Sequence, residues 1–195
     1  MKKGVTVVVA AGNDSRNLNS LHDMQTYWKQ IYGWDIKGPS RVVPAQIPGV
    51  ITVSSSNEWS KDVIAFYSNY GSGAIDVAAP GRDNGPVYDA LYRQDPTGNY
   101  LNKRDFMYRT LSTWPTYLPP YPTANLTGYA LLHGTSMAAP KVAGIAGVIK
   151  AQHPEYNPAQ IAASIQQTAV DLGKSGHDQY FGAGEANIDN ALLKK

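Results

Sequence analysis

Gly134-Thr135-Ser136-Met137-Ala138-Ala139-Pro140, continued by Lys141-Val142-Ala143-Gly144-Ile145-Ala146-Gly147, is the stretch on which the fold of this chain turns. It places a serine where a tight glycine turn runs into a helix, expected over 136–153. Pro140 is expected in the first turn, where its missing N–H costs little. Gly144 and Gly147 fall on one side of that helix and imply close packing, hence a buried helix. Ser136 sits among free N–H groups at the positive end of the helix dipole. Alone it would read as a helix N-cap. The same surroundings also stabilise an alkoxide, or the oxyanion formed when a serine attacks a carbonyl.

Over all seven positions the heptamer resembles the nucleophile motif of the subtilisin-like serine peptidases (subtilases, peptidase S8). The resemblance implies an α/β fold: three layers, a mostly parallel sheet flanked by helices. It implies Ser136 as nucleophile. Other segments follow in the family's order. Residues 4–11 form a β-branched run closed by Gly12, the pattern of a strand buried on both faces. Val8-Val9-Ala10-Ala11-Gly12-Asn13 resembles the subtilase segment whose asparagine donates to the oxyanion, which assigns that role to Asn13; by itself Asn13 also reads as a turn asparagine. Ala11, Gly12 and Asp14 then fall where the family forms its pocket for the side chain before the scissile bond. An acid there favours Lys or Arg in the substrate; Asp14 reads equally well as a solvated loop residue.

Pro44-Ala45-Gln46-Ile47-Pro48-Gly49-Val50-Ile51-Thr52-Val53 reads as a turn entering a second buried strand and resembles another family segment, with Val43 in place of its usual tyrosine. Carbonyls near it bind a cation in some subtilases, so calcium is the one structural ion to expect, although nothing here specifies a metal and no cofactor is required. Phe66-Tyr67-Ser68-Asn69-Tyr70-Gly71 and Ala74-Ile75-Asp76-Val77-Ala78-Ala79-Pro80-Gly81 resemble a family turn and a short strand. After the nucleophile helix, Asn157 and Pro158 start a second helix running to about Val170 and stopped by Gly173. Phe181-Gly182-Ala183-Gly184-Glu185-Ala186-Asn187 resembles the closing motif, before a last helix ending at Leu192-Leu193.

Two stretches depart from the pattern, at about 15–42 and 82–131. The first lacks a clean period and is expected as a surface loop or short helix, with His22 a surface histidine. The second joins Ala-Pro-Gly to the nucleophile turn by a far longer route than in simple subtilases. Its many tyrosines argue against disorder. Tyr121-Pro122-Thr123-Ala124-Asn125, Gly128-Tyr129 and Lys141 resemble the lantibiotic leader peptidases, implying action on a peptide precursor. An ordinary surface insertion remains the other reading. Asn125-Leu126-Thr127 is formally a glycosylation sequon.

In subtilases the Asp and His of the triad precede the oxyanion asparagine, and neither motif occurs upstream of Asn13. The 195 residues are therefore expected to be the C-terminal part of a catalytic domain, with the N-terminal part as their partner. His133, three residues before Ser136, is poorly placed as its base; His153 and His177 read as helix-end and loop residues. A catalytically inactive fragment that only folds with or binds the other half is the alternative. A nucleotide-binding module fails for want of a phosphate-binding loop. The net charge of +2 and 16% charged residues give no reason to invoke nucleic acid. No window reaches the roughly 18 apolar residues of a membrane span. Met1-Lys2-Lys3 before the β-branched run imitates a signal peptide, but that run reads as a core strand. The absence of cysteine and the family resemblance fit an extracellular or cell-surface bacterial enzyme acting on peptide or protein.

Overall fold

In the computed structural model, residues 4–119 and 128–193 are described. The elements, in chain order, are β1 (Val8–Ala10), α1 (Leu21–Tyr32), β2 (Ile51–Ser56), β3 (Val77–Pro80), α2 (Pro86–Gln94), β4 (Thr110–Thr113), β5 (Tyr129–Leu132), α3 (Thr135–Gln152), α4 (Pro158–Gln167) and α5 (Ile188–Leu193). Strands β1, β2 and β3 lie side by side and parallel, with Val8 opposite Ile51 and Val53 opposite Val77.

Alternation along these strands makes two cores. Ile51, Val53, Val77 and Ala79 face α3, whose Ala138, Val142, Ile145, Ala146 and Ile149 cover them, with Ile161 and Ile165 of α4 behind. On the other face Val9 packs with Ala11, Leu18, Ala45 and Ile75, and Ala78 with Ile64, Leu172 and Phe181. Every residue of β2 is buried. Its serines avoid orphaned hydroxyls: Ser54 Oγ donates to the Tyr180 carbonyl at 2.6 Å, Ser55 Oγ pairs with Tyr67 Oη at 2.7 Å, and Ser56 Oγ donates to Glu185.

Several expectations are corrected. β1 spans three residues rather than 4–11, and Val5 is 57% exposed. Among the described residues β1 has a strand on only one side, so it is the edge of the sheet; its Val9 is buried against one face and its Val8 partly buried against the other. α3 begins at Thr135 with Gly134 as its N-cap, which places Pro140 beyond the first turn. Pro140 thus removes the donor that would reach the Ser136 carbonyl. Gly144 and Gly147, expected in close contact, are exposed, and a Cβ on either would meet nothing within 4 Å. α4 stops at Gln167, because Val170 instead exchanges backbone hydrogen bonds with Glu185 at 2.8 Å.

The stretch 15–42 holds a helix of twelve residues. Ser20 Oγ caps it by accepting from Asp23 N–H, and Gly33, at φ 72°, closes it with its N–H on the Lys29 carbonyl. The described parts of 82–131 hold α2, two single turns of 3₁₀ helix at Leu101–Lys103 and Phe106–Tyr108, and the antiparallel ribbon β4–β5. The peptidase-like segment Tyr121–Asn125 and the sequon lie outside the described residues. Among those described, no helix is long and apolar enough to cross a membrane.

Candidate active site

β1 and α3 point their ends at each other. The chain leaves β1 through buried Ala11, whose N–H donates to the Val53 carbonyl at 3.0 Å, and Gly12, at φ 102°. Asn13 follows, exposed beside the start of α3. Its Oδ1 accepts two bonds from Thr135, the fully buried first residue of α3: N–H at 2.9 Å and Oγ1–H at 2.9 Å. Gly12 N–H donates back to Thr135 Oγ1 at 3.2 Å. These bonds fix the orientation of the Asn13 amide, since an oxygen held by two donors leaves the NH₂ group on the open side. Gly134 is favoured by its φ of 145°, since a Cβ there would make only ordinary contact, 3.5 Å, with Asn13 Nδ2.

Ser136 is exposed at the second position of α3. Its own N–H belongs to the first helical turn and has no intrahelical acceptor. Two donors, Asn13 Nδ2 and Ser136 N–H, therefore stand beside a surface hydroxyl at the positive end of an 18-residue helix.

A residue to which sequence reasoning gave no role holds this loop. Asn69 is completely buried. Its Oδ1 accepts from Asp14 N–H and Arg16 N–H, both at 3.0 Å, its Nδ2 donates to the Ala11 carbonyl at 3.1 Å and to Asp14 Oδ2 at 3.2 Å, and its backbone N–H donates to the Gly12 carbonyl at 2.9 Å. A Cβ on Gly12 would come within 2.4 Å of Asn69 Nδ2, so the glycine is required by this side chain as well as by its φ. The signal was available in the Phe66–Gly71 turn, but that turn alone does not reveal which loop its asparagine enters. Asp14 is half-buried, and its carboxylate also accepts from Tyr27 Oη at 2.8 Å.

The other flank of the nucleophile turn is aromatic. The His133 ring lies 5.1 Å from Tyr67 and 6.1 Å from Phe66, and Phe66 lies 5.2 Å from Tyr88 and 4.7 Å from Tyr92 of α2. Burial, then the positive charges of Arg109 and Arg104, lower the His133 pKa from the usual 6.5 to about 4. Such an imidazole is a weak base at neutral pH. Among the described residues, which include all four histidines, no hydrogen bond joins Ser136 to a base. His22 and His177 are exposed, and His153 stacks on Tyr156 at 4.4 Å at the far end of α3. Lys141 Nζ donates to the Pro80 carbonyl and, at 3.4 Å, to Thr110 Oγ1, tying α3 to β3 and to the ribbon. Burial, then the charge of Arg82, lowers its pKa.

Where a carbonyl-lined cation site was expected, the turn before β2 uses its oxygens internally. Val42 O accepts from Gln46 N–H, Pro44 O from Ile47 N–H, and Ala45 O from Thr52 Oγ1. Among the described residues no three His, Asp or Glu side chains group so as to hold a metal ion.

The family model that matches this sequence is that of the subtilase family, peptidase S8, over residues 1–184. The chain belongs to the subtilase family. Its likeness to the extracellular serine protease of Serratia marcescens is 37% identity over 117 residues, 60% of this chain and 10% of that protein. The crystal structure of a lanthipeptide protease is 28% identical with TM-score 0.72, covering 98% of this chain and 52% of that one. The epidermin leader peptide processing serine protease of Staphylococcus aureus is 28% identical with TM-score 0.67, covering 97% and 41%. The chain spans between 10% and 24% of the length of the curated relatives it matches. With the family in place, the parallel sheet with α3 on its face is part of a subtilisin-like α/β fold, and the chain is related to subtilase serine proteases, lantibiotic leader peptidases among them.

Proposed function

We propose that this chain carries the nucleophile and oxyanion side of a serine endopeptidase site. Ser136 Oγ attacks the peptide carbonyl carbon as its proton passes to a base. The C–N bond then breaks, the proton goes to the departing amine, and water releases the acyl group by the reverse sequence. The charge on the carbonyl oxygen is met by Asn13 Nδ2 and Ser136 N–H. The support for this reading is the pair of hydrogen bonds from Thr135 that turn the Asn13 amide NH₂ outward beside Ser136. An oxyanion donor of this kind is typically worth about 2.7–4 kcal/mol, a magnitude taken from this same family.

The base and its orienting carboxylate come from sequence preceding these residues, in the family's order Asp, His, Ser. The uncovered edge of β1 and the exposed Ala143, Gly144 and Gly147 of α3 are where that N-terminal partner packs. Asp14, beside Asn13, favours a basic residue before the scissile bond of a precursor peptide, outside the cell as for the extracellular relatives. The second reading, a folding or binding partner inactive by itself, draws on one observation: none of the four histidines is hydrogen-bonded to Ser136.

A fluorophosphonate followed by intact mass measurement separates these readings. A longer polypeptide supplying the Asp and His should be labelled once, at Ser136, and the Ser136→Ala form not at all. The folded chain alone should stay unlabelled. Failure of the longer form to react overturns the peptidase reading; labelling of the chain alone overturns the external base.

A further inference from the structure

The 82–131 segment carries a site of its own. Pro86, Val87, Lys103, Arg104, Asp105 and Phe106 are among the residues that line an open cavity of about 600 Å³. Arg104 is half-buried, with its guanidinium 5.8 Å over the Tyr88 ring. Its Nε is shut off from solvent and unbonded, and no hydrogen bond or ion pair to the guanidinium is present among the described residues. The carboxylates nearby have other partners. Asp89 pairs with Arg93 at 2.6 Å through Oδ2 while its Oδ1 is buried and unbonded, Asp83 accepts from Trp59 Nε1 and Gly85 N–H, and Asp105 accepts from Met107 N–H. The second guanidinium, of Arg109, is buried on Asn84 Oδ1 at 2.6 Å.

A guanidinium with no bonded carboxylate, facing an open hollow with largely apolar walls, attracts an anion. Through Tyr88, Phe66 and His133 the cavity is joined to the nucleophile turn, and the charge of Arg104 is felt at His133. We propose that Arg104, with Lys103 at the rim, is a specificity-determining residue that seats an acidic side chain of the peptide substrate. The apolar walls take the flanking residues, and the planar guanidinium, 5.8 Å from the Tyr88 ring centre, presents a fork that matches a carboxylate. This rests on the peptidase reading, to which it adds a substrate class: peptides with a Glu or Asp at a fixed distance from the cleaved bond.

The test is fluorescence anisotropy with short labelled polyalanine peptides containing one central Arg and one Glu moved through the other positions, each beside its Gln counterpart. Glu at one or two positions should tighten binding about tenfold over Gln. Arg104→Gln should abolish that gain, and Arg104→Lys should restore part of it. Equal binding of the Glu and Gln peptides at all positions, or a Glu preference that survives Arg104→Gln, overturns the proposal. Because binding is read without turnover, failure here is distinct from failure of Ser136 to react with a fluorophosphonate. A gain reproduced by free acetate displacing the Glu peptide at millimolar concentration, with no dependence on Glu position, marks a simple anion site and also overturns it.

Discussion

The two flanks of the nucleophile turn are built on opposite plans. On the Asn13 side a short loop is pinned by a buried polar network, in which Asn69 and Thr135 between them satisfy donors and acceptors from Ala11 to Arg16. On the His133 side the contacts are rings packed at about 5–6 Å, two of them, Tyr88 and Tyr92, contributed by the inserted segment. A hydrogen-bond network fixes atoms to fractions of an ångström and is costly when half-satisfied, whereas packed rings tolerate exchange. Under the proposed function, the division suits an oxyanion site that must hold still while a recognition surface varies.

The contrast predicts its largest effect at Asn69. Asn69→Ala removes the partner of Asp14 N–H, Arg16 N–H and the Ala11 carbonyl together. It should lower unfolding stability by on the order of 3 kcal/mol and expose the 12–16 amides to hydrogen exchange. A loss below about 1 kcal/mol, within the range of ordinary surface changes, would remove the case for a network. Thr135→Val keeps the N–H bond to Asn13 and loses the hydroxyl bonds. About 1–2 kcal/mol should be lost by urea unfolding, and Thr135→Ser should recover most of it.

The aromatic flank should instead show itself in pH dependence. His133 has a folded-state pKa of about 4, below its usual 6.5. The unfolded chain thus binds the proton first, and stability should fall as pH drops from about 6.5 towards 4 and then level off. Arg104→Gln removes one of the charges that hold the pKa down. The imidazole titration read by NMR should then move up and the sensitive window narrow. An unshifted titration would mean that Arg104 is electrically remote from the turn.

How much of this was legible follows the same division. The heptamer, the Ala-Ala-Gly-Asn segment and the strand motifs placed β1–β3 and α3, and Asn13 lies against Thr135 at the start of α3, because those positions are constrained by backbone geometry that few residues permit. The bonds that orient Asn13 come from Thr135, inside the motif and 122 positions away, and those that hold the loop on either side of it come from Asn69; side-chain hydrogen bonds across such distances leave no periodic trace. In the 15–42 stretch the signals were local and present, Ser20 before Asp23 at one end and Gly33 at the other, but the mixed polar and aromatic face between them has no clean period. The inserted segment was least legible. Its anchors, the buried Arg109 on Asn84 and the rings on Phe66, are contacts between elements that single-sequence patterns do not connect.

The smallest predicted effect lies in that segment and bears most directly on the comparison. Tyr92 is partly exposed on α2, 4.7 Å from Phe66 and 6.0 Å from Tyr88, the latter pair with planes 11° apart. Tyr92→Leu keeps apolar bulk and loses only the ring geometry, so the cost should be about 0.5–1.5 kcal/mol. If it matched that of Asn69→Ala, the rings would be as exacting as the polar loop and the two flanks would not differ in kind. If the cost is small while the Glu-over-Gln preference assigned to Arg104 weakens, then Tyr92 and Tyr88 matter as the platform that aims the guanidinium.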